Sequence, residues 1–284
     1  MTRVVVDGVR YEVRTSGHGP ALLLLHGFTG STADWAPSLP ALEVVATCVL
    51  VDLLGHGGSE APTDPTRHSL EHQATDLTHL LADLRLAPAA VVGYSLGARV
   101  ALRMALDRPD SVRSLVLLSP SPGIADPHAR AARREQDETL ARQLERAGLA
   151  AFVDAWEAQP LFATESELPA TARVNIREMR LRNDPAGLAA SLRGAGQGSM
   201  APLHEDLPRI GVPSLVVAGE RDAVGVERAR KIAGAIPGAR LVVLDGLGHA
   251  VQREAPAVVE RLILEHLGSI HSPASAGVLT RSRS

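Results

Sequence analysis

Ser95 stands in Gly93-Tyr94-Ser95-Leu96-Gly97, with an apolar run at 89–92 before it and apolar residues at helical spacing over 97–107 after it. A G-x-S-x-G sequence between a strand and a helix makes a sharp turn that leaves the serine hydroxyl exposed at the helix N-terminus. Glycine on either side lets neighbouring chain approach without a side-chain clash. A serine hydroxyl is weakly basic and weakly acidic, so it needs a histidine, and the histidine needs an orienting carboxylate. For a serine on such a turn the chain order is serine, acid, histidine. Asp222 follows the apolar run 214–218 and His249 follows the run 240–244, each at the carboxyl end of a strand where loops converge. Asp245 and Glu220 are alternative carboxylates nearer the strand ends. His56, His68, His72 and His204 read as surface or loop residues, with His56 the best placed of them to line a site.

Acyl transfer and enolate formation both put charge on an oxygen, which calls for N–H donors fixed in advance. The apolar run 22–25 ends in His26-Gly27-Phe28, and the backbone N–H groups of Phe28 and Leu96 are the expected pair. His26 reads as a structural hydrogen-bonding residue. A second glycine-rich loop, Asp52-Leu53-Leu54-Gly55-His56-Gly57-Gly58-Ser59, contains no lysine and reads as a tight turn shaping a pocket, not a phosphate cradle.

These residues need a frame that brings strand ends together. Short Val-, Leu- and Ala-rich runs recur at 21–25, 47–51, 89–92, 114–118, 214–218 and 240–244, without polar alternation. Such runs suit strands covered on both faces, and the stretches between them, 70–84, 97–107 and 226–235, have helical spacing. The alternation predicts an α/β fold with a mostly parallel, doubly wound sheet. Residues 3–6 and 10–13 flank Asp7-Gly8, a hairpin signal for an antiparallel pair at one sheet edge. From 120 to 203 the rhythm stops, and only charged, Ala- and Leu-rich helical sequence remains, too long for a loop and read as a helical cap. The expected organisation is a core of 1–119 and 204–268, a cap of 120–203, and a Ser/Ala-rich disordered tail of 269–284.

Bulk properties narrow the class. A net charge of −3 argues against a nucleic-acid partner, which would leave a basic footprint. No apolar run approaches the ~18 residues of a membrane span. The lone Cys48, inside an apolar run, reads as a buried hydrophobe and cannot form an internal disulfide. Together with an N-terminal stretch that lacks a signal-peptide core, this points to the cytoplasm. No metal or cofactor motif is present.

The motifs also carry a resemblance. His26-Gly27-Phe28-Thr29-Gly30, the Asp52 to Ser59 loop, Gly93 to Arg99 and Gly219-Glu220-Arg221-Asp222 are similar to motifs of the α/β-hydrolase fold. Within the cap, Ser121-Pro122-Gly123-Ile124, Arg130-Ala131-Ala132-Arg133, Phe152-Val153-Asp154-Ala155-Trp156, Gln159-Pro160-Leu161-Phe162 and Leu188-Ala189-Ala190-Ser191-Leu192-Arg193 look like the MenH family of menaquinone biosynthesis. These are the 2-succinyl-6-hydroxy-2,4-cyclohexadiene-1-carboxylate synthases, and the resemblance runs from about 22 to 267. It implies an elimination: the triad acts as a base on a ring proton, and pyruvate leaves from an enolpyruvyl ether. It implies a polycarboxylate substrate held by Arg99, Arg133 and Arg180, contacted by Tyr94 and Trp156, with no cofactor. The chain departs from the family's pattern at Ala223-Val224, where a Lys-Phe pair is common, and in lacking a second histidine after His249.

Read from the residues alone, Arg99 lies one turn into the elbow helix, where a small or aliphatic residue would pack better. Arg133 competes with Arg130, Arg134 and Arg142 on a charged helix, and Arg180 with Arg177 and Arg182. Trp156 suits cap packing as well as substrate contact. The competing enzyme is a serine hydrolase of esters, or of carbon–carbon bonds in ring-cleavage products, on the same fold.

Overall fold

The computed structural model describes residues 2–271. Asp7 and Gly8 both take positive φ, 48° and 81°, as a two-residue hairpin requires. They join β1 (Thr2–Val6) to β2 (Val9–Gly17), whose inward residues Val9, Tyr11 and Val13 are buried. The chain continues through β3 (Ala21–Leu25), α1 (Leu39–Leu42), β4 (Thr47–Val51), α2 (Leu70–Asp83), β5 (Ala89–Tyr94), α3 (Leu96–Asp107) and β6 (Val112–Leu118). A helical insert follows, α4 (Pro127–Glu157), α5 (Ala170–Arg180) and α6 (Pro185–Ala195). The core then closes with β7 (Ser214–Gly219), α7 (Ala223–Ala235), β8 (Arg240–Leu244), α8 (Val251–Glu254) and α9 (Pro256–His271).

The described strands form one sheet in the order β1-β2-β4-β3-β5-β6-β7-β8. β1 and β2 run antiparallel at one edge, and β2 pairs antiparallel with β4; every other pairing is parallel. All five residues of β3 are buried because both faces are covered. Leu23 and Leu25 join the core beneath α2, α3 and α7, whereas Leu22 and Leu24 join the core beneath α1 and α9. β8 is only half-buried because it forms the far edge. The buried Cys48 thiol, on β4, is pushed up to about 12 by burial, as suits a packing residue.

β3 and β5 are neighbours, but the chain leaves β3 toward β4 on one side and leaves β5 toward β6 on the other. A crevice opens at the carboxyl ends of such a strand pair. The insert covers it and has its own small core of Leu144, Phe152, Val153, Leu188 and Leu192. α4 is broken at Gly148, whose φ of 80° no helix tolerates, so its second half folds back over the site. Phe28, at the end of β3, packs against both the sheet core and the insert core. α9 continues through His271, so residues 269–271 belong to a helix instead of the expected tail; residues 272–284 of that tail lie outside the described residues.

Candidate active site

The turn between β5 and α3 holds Ser95 at φ 50°, ψ −100°, a conformation an L-residue enters only when its surroundings enforce it. Packing supplies the force. A Cβ on Gly97 would collide with the carbonyl oxygens of Leu25 and His26, and a Cβ on Gly93 with that of Gly97. The Ser95 N–H donates to the Leu118 carbonyl at 2.9 Å and Gly97 N–H to that of His26 at 3.0 Å, which ties the elbow to both flanking strands.

Three loops bring the triad together. His249 Nε2 lies 3.1 Å from Ser95 Oγ, and His249 Nδ1 lies 2.6 Å from Asp222 Oδ2. Asp222 caps α7 through the Gly225 N–H at 2.8 Å. Burial alone pushes the Asp222 carboxyl upward, but the hydrogen bond and charge of His249, the Gly225 N–H and the Arg228 charge together hold it below the ordinary carboxylate range. The other carboxylate candidates are elsewhere: Glu220 accepts from the Gly246 N–H and braces that turn. Glu254, which sequence reasoning missed, takes the N–H groups of Gly248 and Ala250 at 2.6 and 3.0 Å, clamping the chain on both sides of His249. The Ser119 hydroxyl donates to the His249 carbonyl at 2.7 Å.

Phe28 and Leu96 follow adjacent strands and line the same cavity as Ser95 and His249. Among the described residues neither backbone N–H is taken up by a protein acceptor. His26 sets the turn: its Nδ1 donates to the Gly27 carbonyl at 2.7 Å and its Nε2 accepts from the Leu53 N–H at 2.9 Å. Burial lowers its proton affinity, which keeps that tautomer neutral. His56 does not line the cavity as expected. It is fully buried beside His26 and meets the Phe28 ring edge-on at 5.5 Å, supporting the oxyanion turn from behind.

The cavity between sheet and insert measures about 520 Å³. Tyr94 lines it with its ring 5.5 Å from that of His249, and Trp156 closes it from the insert, 5.2 Å from the Phe28 ring. The Trp156 indole N–H and the hydroxyl of Ser191, another lining residue, have no partner among the described residues. Arg99, buried on α3, donates through Nη1 to the Ala195 carbonyl at 2.5 Å. Burial, and then the charge of Arg133, lower its proton affinity to about 9, so it is cationic at neutral pH. Arg133 on α4 lines the cavity with its Nε 2.8 Å from Asp137.

Arg180 departs from expectation, because it lies outside this cavity. It is 1% exposed, its Nη1 and Nη2 are held by Glu157 and Glu165 at 3.0 and 2.8 Å, and it sits over the Phe162 ring at 5.2 Å. Its fork is already occupied by two protein carboxylates. Two arginines that the sequence did not single out are Arg228, which lines the cavity from α7, and Arg253 on α8, whose side chain is 4% exposed. Arg253 holds Asp34 through Nε and Nη2 at 2.6 and 3.0 Å and Glu165 through Nη1 at 2.9 Å, and it lies over the Tyr94 ring. No grouping of three or more metal-ligating side chains occurs among the described residues, and no described helix is long and apolar enough to cross a membrane.

A serine on a strained strand-to-helix turn, with its acid and histidine on later strand ends, defines an α/β hydrolase, and a family model described as alpha/beta hydrolase fold matches residues 20–256. The chain is 37% identical to the putative 2-succinyl-6-hydroxy-2,4-cyclohexadiene-1-carboxylate synthase of Bacillus subtilis, over 94% of this chain and 97% of that relative. It is 33% identical to the synthase of that name from Klebsiella pneumoniae, over 88% and 94%. The structure of MenH from S. aureus superposes with a TM-score of 0.87 at 31% identity, covering 92% of this chain and 98% of the other. The chain therefore belongs to the 2-succinyl-6-hydroxy-2,4-cyclohexadiene-1-carboxylate synthase family of the alpha/beta hydrolase fold.

Proposed function

We propose that the protein is a carbon–oxygen lyase of menaquinone biosynthesis. It converts 2-succinyl-5-enolpyruvyl-6-hydroxy-3-cyclohexene-1-carboxylate to 2-succinyl-6-hydroxy-2,4-cyclohexadiene-1-carboxylate and pyruvate. The observation that carries this reading is a triad opening onto a cavity lined by four arginines, Arg99, Arg133, Arg221 and Arg228, against two aspartates, Asp137 and Asp222. Both aspartates are engaged, one by Arg133 and one by His249. Such a cavity favours a polyanion, and the substrate carries three carboxylates; a neutral ester gains nothing from it.

In this reading Asp222 orients His249 and stabilises its cationic form, His249 takes the Ser95 proton, and the Ser95 oxygen removes the ring proton beside the succinyl ketone. The C–H electron pair becomes a ring double bond, the existing double bond shifts by one position, and the ring carbon–oxygen bond breaks. Its electron pair leaves with enolpyruvate, which gains a proton and becomes pyruvate. The developing enolate oxygen sits against the N–H groups of Phe28 and Leu96. Arg99 and Arg133 hold carboxylates of the substrate, and Tyr94 and Trp156 pack on it. The proposal includes a cytoplasmic location and no nucleic-acid partner, supported by the single buried cysteine and the net charge of −3. The test is to give the purified protein this substrate and follow pyruvate together with diene absorbance. Hydrolysis of nitrophenyl esters without pyruvate would favour the serine-hydrolase reading instead.

A further inference from the structure

Most arginines around the insert are spoken for. Arg177, Arg180, Arg193 and Arg253 each bond two carboxylates, and Arg221 pairs with Glu167 at the rim. Arg228 is different. It is half-buried on α7, one turn beyond Val224, and both residues face the cavity. Among the described residues no carboxylate lies within ion-pair distance of it, and its guanidinium makes no hydrogen bond. Placing a guanidinium on a cavity wall without a partner costs desolvation that an incoming anion offsets.

Its neighbours sharpen the point. Arg99 comes from α3, Arg133 from the insert and Arg228 from α7, so three separate elements direct guanidinium groups at one cavity. Burial comes first in lowering the proton affinity of Arg228, followed by the charge of Arg133; Asp222 and Glu227 oppose this from a distance. Arg133 and Arg228 likewise lower Arg99. Two carboxylates line the cavity with this group and both are taken: Asp137 is divided between Arg133 and the Gly198 N–H, and Asp222 is held by His249 and the Gly225 N–H.

We infer that Arg228 binds a substrate carboxylate and, with Arg99 and Arg133, makes a three-guanidinium site that selects a tricarboxylate over a mono- or dicarboxylate. Arg180, by contrast, serves to position the insert. This inference rests on the proposed elimination only for the identity of the ligand, since the cavity would recognise any compact tricarboxylate. Arg228 approaches from the Asp222 side of the cavity, so the carboxylate it holds is one lying near the catalytic histidine.

The experiment is calorimetric titration of the full chain with tricarballylate, alongside kinetics on the enolpyruvyl substrate, for the natural protein, Arg228→Gln and Arg228→Lys. Arg230→Gln, an exposed arginine on the same helix, controls for net charge. Loss of a charged hydrogen-bond pair predicts tricarballylate binding weaker by about tenfold or more in Arg228→Gln. We expect partial recovery in the lysine variant, a raised KM, and an unchanged unfolding midpoint. Binding in Arg228→Gln equal to that of the natural protein, or no tricarballylate binding by the natural protein, overturns the inference. If binding depends on Arg228 but no pyruvate is released, the elimination falls and the tricarboxylate site stands. If pyruvate is released with the same KM in both, the elimination stands and the Arg228 site falls.

Discussion

Glu165, on the insert, bonds Arg253, on the core, at 2.9 Å, and its other oxygen bonds Arg180 at 2.8 Å. The chain of charges Asp34–Arg253–Glu165–Arg180–Glu157 thus runs from the turn after β3 to α4, with Arg253 stacked over the Tyr94 ring and Arg180 over that of Phe162. Four of its members, Asp34, Arg253, Glu165 and Arg180, have side chains at most 9% exposed, so removing one leaves another uncompensated in a dry setting; Glu157, 27% exposed, ends the chain at the surface. This ladder fixes the height of the insert above Ser95.

Arg180→Ala should therefore act as a stability variant. Breaking a buried ion pair costs about 3–5 kcal/mol, visible as a lower urea midpoint, with the remaining activity showing a reduced kcat. Arg133→Ala should differ in its kinetics. KM should rise by about tenfold or more as a charged hydrogen bond to substrate is lost, and because Asp137, 1% exposed, is left with the Gly198 N–H alone, the urea midpoint should fall as well. A large KM change with unaltered stability in Arg180→Ala would return that residue to the substrate.

Substitutions in the triad should spare binding and remove turnover. Ser95→Ala and Asp222→Asn should each lower kcat by about 10²–10⁴-fold, the usual worth of a positioned base and its orienter, with tricarballylate affinity unchanged. Asp222→Asn also withdraws the negative charge that sits 2.6 Å from His249 Nδ1 and stabilises its cationic form. Retention of pyruvate release in Ser95→Ala would remove the serine from the mechanism.

Acid should weaken the fold through its buried histidines. Burial lowers the proton affinity of His26 and His56, and of His68 and His266 as well. A histidine with a depressed folded value binds fewer protons folded than unfolded, so its stability contribution is complete above ~6.5. That contribution declines as pH falls through the window below, by about 1.4 kcal/mol per pH unit for each such residue. Urea midpoints at pH 7.5, 6.5 and 5.5 should be level between the first two and fall between the last two. A flat profile would mean that these rings are protonated in the folded state.

The framework was legible because local rules and tertiary demands coincide in it. Residues 21–25 and 89–92 read as buried strands because both faces are covered, and Gly93 and Gly97 mark the only kind of residue the elbow admits. Asp222 and His249 were readable because strand ends in this fold point to one place. The arginines were not. Arg180, Arg133 and Arg228 are equivalent as helix-surface residues, and their fates differ with what folding brings near: Arg180 meets Glu157 and Glu165, Arg133 meets Asp137 one turn along its own helix, and Arg228 meets no carboxylate among the described residues. His56 misled because its loop follows a strand end yet packs behind the Phe28 turn, where Gly55 and Gly57, both at positive φ, leave the ring against His26.

The central claim, that Ser95 and His249 act as a base and do not acylate, is tested most directly with substrate deuterated at the ring carbon beside the succinyl ketone. The account predicts pyruvate and diene in equal amounts, a primary isotope effect on kcat and no acyl-enzyme burst. Ester hydrolysis with a burst, and no pyruvate from the enolpyruvyl compound, would contradict it.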